Sequence, residues 1–241
     1  MTLAARNGSK IIVSLLIQTG ADINAQDKNG LTPLFASIHG RKKEIVSLLI
    51  KKGVDLTKTD ANGRSPLNLA IRIEEKDIVK LLLESGVNVN LSYKSCQPSL
   101  IMATERRNIE IISLLIDKGA DVNQRSAEGW MAIHLAVKNK ATDIIKLLAR
   151  SGASMNVLDC TRAGWSPLTI AIIHGTYELV SLLIEEGADV NQKNKEGWLP
   201  INLAIKFDTK DIIKLLIESG ANLNLSDKTC WTLLNFAIYL L

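Results

Sequence analysis

The sequence predicts an all-α fold, a solenoid of stacked helix–turn–helix units in which each unit leans on the next. Three observations predict it. The stretch at 27–59, DKNGLTPLFASIHGRKKEIVSLLIKKGVDLTKT, returns at 60–92, 93–125, 126–158, 159–193 and 194–226, with partial units at 1–26 and 227–241. A glycine recurs at the end of every second helix: Gly20, Gly53, Gly86, Gly119, Gly152, Gly187 and Gly220. All five prolines, Pro33, Pro66, Pro98, Pro167 and Pro200, fall at the starts of first helices. No unit is large enough to bury its own apolar side chains, so neighbours must supply the core.

Each element of the unit has a local cause. Asp27 to Gly30 is turn-rich. Thr32-Pro33 reads as a helix start, because the hydroxyl can accept from an orphan first-turn amide and proline there loses no hydrogen bond. The second helix carries Ile45, Val46, Leu48 and Leu49 on one stripe. Gly53 stops it, since glycine takes the left-handed conformation without a Cβ penalty. The unit at 159–193 carries two extra residues near its turn. In 93–125 the helix start reads Pro98-Ser99, and in 126–158 it reads Met131-Ala132, with neither cap nor proline. A missing cap costs about 1 kcal/mol, so the stack is expected to open first between 93 and 158. The chain begins inside a first helix and ends inside one, in LLNFAIYLL. The expectation is a piece of a longer array, or a terminal face covered by another segment.

GLTPL at 30–34, GRSPL at 63–67 and GWSPL at 164–168, followed by a Leu-Leu helix, carry a family pattern. GADIN at 20–24 and GADVN at 119–123 and 187–191 complete it. With the period of 33, the whole chain resembles the ankyrin repeat. The resemblance implies stacked helix pairs with a β-hairpin or extended loop projecting from one edge, and a concave inner face that binds other proteins. It also implies that His134, at the histidine position of the T-P-L-H motif, bonds within its own turn. The asparagines closing the repeats (Asn24, Asn90, Asn123, Asn156, Asn191 and Asn224) are, by the same resemblance, substrates for an asparaginyl hydroxylase where one exists.

Apolar residues make up 46% of the chain and aromatics 4%, which implies a core of Leu, Ile, Val and Ala. The net charge is +4, with both signs interleaved, and this falls short of a nucleic-acid footprint. The densest basic cluster, Arg41, Lys42 and Lys43, reads as a solvated outer face. Cys96, Cys160 and Cys230 are odd in number and far apart, which indicates neither a disulfide framework nor a metal site and suits a reducing compartment. No apolar run is long enough to span a membrane. A duplicated two-unit cassette is visible in the alternation Ser47, Lys80, Ser113, Lys146, Ser181, Lys214, and in the match of NLSYKSC at 90–96 with NLSDKTC at 224–230.

Four tryptophans, Trp130, Trp165, Trp198 and Trp231, share one register just after the turn glycine or its cysteine substitute. By the resemblance this register lies at the base of the projecting hairpin. Tryptophan offers large contact area at low entropic cost and is enriched in binding hot spots. The same indoles could instead pack on neighbouring loop stems and stiffen the row. The resemblance further places Arg72, Glu105, Arg106, Lys138, His174, Lys206 and Phe207 late in first helices, on the inner face, and Arg64 at the tryptophan register. No phosphate-binding loop, dinucleotide motif, metalloprotease motif or nucleophile elbow is present.

The expected function is therefore a non-catalytic, monomeric scaffold or adaptor, without cofactor or metal, that binds a protein partner in the cytoplasm or nucleus. Its contact residues would be Trp130, Trp165, Trp198, Trp231, Arg64, Arg72, Arg106, Lys138, His174, Lys206 and Phe207. Two alternatives stand beside it: a sensor for a small anionic or nucleotide-like ligand at Arg64, Arg72, Arg106, Lys138 and Trp130, and a structural spacer in a longer protein.

Overall fold

The computed structural model describes residues 1–28, 30–91 and 97–224. Trp231, Cys96, Cys230 and the helix expected in LLNFAIYLL lie outside them. The chain divides into two compact units, Met1–Asp121 and Val122–Leu241.

The first unit holds α1 (Thr2–Asn7), α2 (Lys10–Gln18), α3 (Pro33–His39), α4 (Lys43–Lys51), α5 (Pro66–Arg72), α6 (Lys76–Glu84), α7 (Ser99–Glu105) and α8 (Ile109–Asp117). Here α1, α3, α5 and α7 pack side by side, and α2, α4, α6 and α8 form a second layer against them. The second unit holds α9 (Ala132–Lys138), α10 (Thr142–Arg150), α11 (Pro167–Ile173), α12 (Tyr177–Glu185), α13 (Pro200–Lys206) and α14 (Lys210–Glu218). In it α9, α11 and α13 adjoin in order, and each packs on the helix that follows it. Among the described residues every regular element is a helix. The described edge turns at 60–64, 126–130, 159–165 and 194–198, expected as hairpins or extended loops, are closed by backbone hydrogen bonds.

The two layers differ in burial. From α3 on, first helices are seven residues long and almost wholly buried, as in α5, where Pro66 to Ile71 are all inside. Second helices are nine residues long and bury one stripe, such as Ile45, Val46 and Leu49 in α4. Helices this short are not stable alone in water. Their stability comes from neighbours: α3 packs on α5, and Leu34, Phe35, Ile38, Leu67, Leu69 and Ile71 are buried.

The helix starts follow residue type. Thr32 Oγ1 accepts from the Phe35 amide, Ser65 Oγ from Asn68 and Ser166 Oγ from Thr169. No side chain caps α7, α13 or α9 in this way. At α7, Ser99 Oγ reaches back to Asn68 Oδ1 at 2.9 Å instead. At α13, Leu199 stands where other repeats have Thr or Ser. At α9 the bond is reversed: His134 Nδ1 accepts from the Met131 amide at 3.3 Å, while its Nε2 donates to the Val157 carbonyl at 3.1 Å.

Second helices other than α6 end in a two-bond stop. In α2 the Ala21 amide reaches the Leu16 carbonyl and the Gly20 amide the Ile17 carbonyl, with Gly20 at φ +85°. A second left-handed position lies between the helices of each pair. There the residue is glycine only at Gly8 and Gly175. Elsewhere it is Arg41, Glu74, Arg107, Lys140 and Asp208, at φ between 50° and 59°.

Candidate functional site

Two kinds of position define the surface on which the candidate residues sit: the base of each edge turn and the last turn of the first helix that follows. The side chain that opens the turn builds the base. Asp60 Oδ1 accepts the Asn62 and Arg64 amides, Ser126 Oγ the Trp130 amide, and Asn194 Oδ1 the Glu196 and Trp198 amides. In the repeat with two extra residues, Asp159 Oδ1 reaches six residues on, to the Trp165 amide at 2.9 Å. The next turn then rests on that longer loop, with the Lys195 amide on the Ala163 carbonyl and Lys195 Nζ on the Asp159 carbonyl. Each of the three described indoles thus leaves a backbone pinned by its own turn.

In the second unit the structure joins residues eight apart. Lys138 Nζ lies 5.5 Å from the Trp130 ring centroid, and Lys206 Nζ lies 5.2 Å from that of Trp198. Trp130 also meets the His134 imidazole edge-on, with centroids 6.0 Å apart. All three described indoles are half-buried, while Lys138, Lys206, His174 and Phe207 are exposed. The cations sit at helix C-termini, where the dipole favours them, and each lies over an indole face, which attracts it. At Trp165 the residue eight further on is Ile173, half-buried.

In the first unit the same pairing holds Gln97 Nε2 on Glu105 Oε1 at 3.0 Å. Arg64 is drawn into its own turn. Its Nε and Nη2 donate to Asp60 Oδ2 at 2.7 and 2.6 Å, and the Asp60 side chain is almost wholly buried. Although burial pushes the Asp60 carboxyl up, the Arg64 pair and the amides of Arg64 and Asn62 outweigh it and hold the group below its usual range. Arg106 stands 3.6 Å from Glu74, with both exposed. Arg72 ends α5 in the open.

Two residues belong with these that residue type alone does not single out. His39 and Arg6 occupy the Arg72 position one and two repeats earlier, and the 33-residue spacing of 6, 39 and 72 is the signal for them. His39 is held below its ordinary 6.5 by burial first, then by Arg64, Arg72 and Arg6, with Asp60 opposing. The densest basic cluster in the sequence is by contrast largely neutralised. Arg41 pairs with Glu75 at 2.7 Å and Lys43 with Asp77 at 2.9 Å, each one repeat on.

The repeat-closing asparagines carry bonds between successive repeats. Asn24 Oδ1 accepts the Asp55 amide. Asn90, Asn123, Asn156 and Asn191 each accept the amide of Asp121, Ser154, Asp189 or Asn222 and donate to the carbonyl of Gly119, Gly152, Gly187 or Gly220. Among the described residues no helix is long and apolar enough to cross a membrane.

Comparison with known proteins agrees with this geometry. The chain is similar in structure to the crystal structure of the ankyrin repeat domain of Bcl-3, a unique member of the IkappaB protein family, with a TM-score of 0.79 and 26% identity over 87% of this chain and 95% of that one. It shares its fold with the human ASB11 ankyrin repeat domain, with a TM-score of 0.71 and 21% identity over 92% of this chain and 97% of that one. No curated protein matches the chain. The family model for ankyrin repeats (3 copies) matches residues 1–93, 95–159 and 133–227. The chain belongs to the ankyrin-repeat family, whose domains are generally protein–protein interaction modules.

Proposed function

We propose that this chain is a non-catalytic recognition module, and that the second unit binds a protein partner through its indole and lysine positions. The observation that carries the reading is the pairing of Trp130 with Lys138 and of Trp198 with Lys206. Each pair offers a broad apolar surface beside a fixed charge, on a backbone that its turn already holds. Little ordering entropy is lost when such a surface binds, and indoles of this kind are frequent hot spots. Trp165 lies at the same register, and His174 and Phe207 extend the exposed surface beside α11 and α13. Trp231 belongs to the set by register. In this reading the protein acts as a monomeric adaptor in a reducing compartment, the cytoplasm or the nucleus.

The test compares capture from extracts of the source cells by the wild-type chain and by the Trp130→Ala/Trp198→Ala variant, with Lys10→Ser as the surface control. Captured species are quantified by mass spectrometry, and thermal melts verify folding. A protein retained by wild type and control and lost from the double variant supports the reading. Identical capture by all three overturns it, as does a thermal shift by millimolar nucleotide that vanishes with Trp130.

A further inference from the structure

The first unit carries a charged row that the tryptophan surface does not use. Arg6 lies in the last turn of α1, and His39 and Arg72 end α3 and α5. These three helices pack in that order, and the Cα of Gly40 lies so near the Arg6 carbonyl that a Cβ there would be 2.2 Å from the oxygen. Neither Arg6 nor Arg72 has a carboxylate within 4.0 Å among the described residues, although Arg41, Lys43 and Lys76 each have one in the next repeat. Arg64 is tied to Asp60 in its own turn. Burial first, and then Arg64, Arg72 and Arg6, disfavour the charged form of the His39 imidazole, with Asp60 opposing. The row ends at Glu105, the next position in register, which Gln97 holds.

We propose that the α1, α3 and α5 ends form a docking row for an extended acidic segment of a partner protein, with carboxylates at every third residue. Spacing argues for this occupant. Packed helices stand about 8–10 Å apart, so Arg6 and Arg72, on α1 and α5 with α3 between them, are too far apart to converge on one phosphate. An extended peptide rises about 3.3 Å per residue, so side chains at i, i+3 and i+6 keep step with the row. Glu105 closes it by repelling a fourth carboxylate. The inference rests on the recognition-module reading only for the partner being a protein. It uses none of the tryptophan or lysine positions, so each can fail alone.

The experiment measures fluorescence anisotropy of a labelled twelve-residue peptide, four repeats of Glu-Gly-Ser, on the full chain at low salt. Comparison peptides carry Gln for Glu, or the same four glutamates in one block. The expected result is saturable binding of the spaced peptide and loss with Gln. Arg6→Ser/Arg72→Ser should weaken it at least about tenfold, and Lys118→Ser should leave it unchanged. A Lys-Gly-Ser peptide should gain binding to Arg6→Glu/Arg72→Glu, a readout that a misfolded variant could not give. Equal weakening by Lys118→Ser, tighter binding of the block peptide, or stronger competition by inorganic phosphate or single-stranded RNA would overturn the proposal. No binding at all would overturn it too. Repeating the titration on Trp130→Ala/Trp198→Ala separates the two surfaces, because the acidic peptide should still bind.

Discussion

Asn123 and Ser154, in successive repeats, are joined through the asparagine side chain: the Ser154 amide donates to Asn123 Oδ1 at 2.9 Å, and Asn123 Nδ2 donates to the Gly152 carbonyl at 3.1 Å. One short amide thus serves a donor and an acceptor at the stop of the next helix pair. Replacing it by alanine leaves both groups to solvent. Asn123→Ala should lose about 1–2 kcal/mol, read as a fall in urea midpoint without a change in slope. Asn123→Asp keeps the acceptor and loses the donor, so it should fall between. Midpoints of wild type and Asn123→Ala that coincide would show that the bridge contributes nothing net.

The left-handed turns between paired helices store strain at residues that do not favour them. Lys140 sits at φ 54°, exposed and outside the ion pairs of the described residues. A residue with a Cβ in this conformation costs roughly 1 kcal/mol relative to glycine. Glycine also widens the unfolded ensemble, which offsets part of the gain. Lys140→Gly should therefore raise stability by about 0.5 kcal/mol, while Gly175→Ala, at φ 61° with open space around it, should lower it. Thermal melts of the two variants should shift in opposite directions.

The contrast between these turns marks how far the sequence can be read. The helix-ending stops are legible because Gly20 through Gly220 name their own conformation. The turns at Arg41, Glu74 and Lys140 are not, since those residue types signal exposure and say nothing of φ. The starts at Thr32, Ser65 and Ser166 are legible for the same reason as the stops. Pro200 hides a weaker start at α13, because the residue that fails to cap is Leu199. In the candidate site, residue type points to Trp130, Lys138, Trp198 and Lys206 singly, but their pairing depends on a helix end folding back over a turn base. Arg64 looks free in sequence because the buried carboxylate that claims it lies in the same turn. Arg6 is obscured by standing in an incomplete repeat.

Gly40 packs at close range with an unexceptional backbone, φ −77°. A Cβ would meet the Arg6 carbonyl oxygen at 2.2 Å and its carbon at 3.0 Å. Backbone on both sides cannot yield as a flexible side chain would, so α1 must shift away from α3. Gly40→Ala should cost about 1–3 kcal/mol, as overpacking does, with the largest rise in amide exchange in α1. Uniform exchange across the first unit in that variant would place the cost elsewhere.

His134 sets a pH dependence whose sign follows from its two bonds. The Val157 carbonyl can only accept, so Nε2 carries the proton, and Nδ1 must be bare to receive the Met131 amide. Protonating Nδ1 would set two donors against each other inside the protein. Burial adds to this and holds the imidazole below its ordinary 6.5, although the Val157 bond and Asp159 pull the other way. Above that ordinary value neither the folded nor the unfolded state binds the proton. As pH falls below 6.5 the unfolded chain takes it up first, so stability declines until the lowered folded value is reached and then levels off. His39 acts with the same sign, also by burial and nearby arginines. Urea midpoints from pH 8 to 5 should therefore fall with acid in wild type, and fall less in His134→Thr, which puts at this position the residue that Thr169 supplies in the next repeat. Parallel curves for the two proteins would mean that His134 is as easily protonated folded as unfolded, and that its Nδ1 does not accept the Met131 amide.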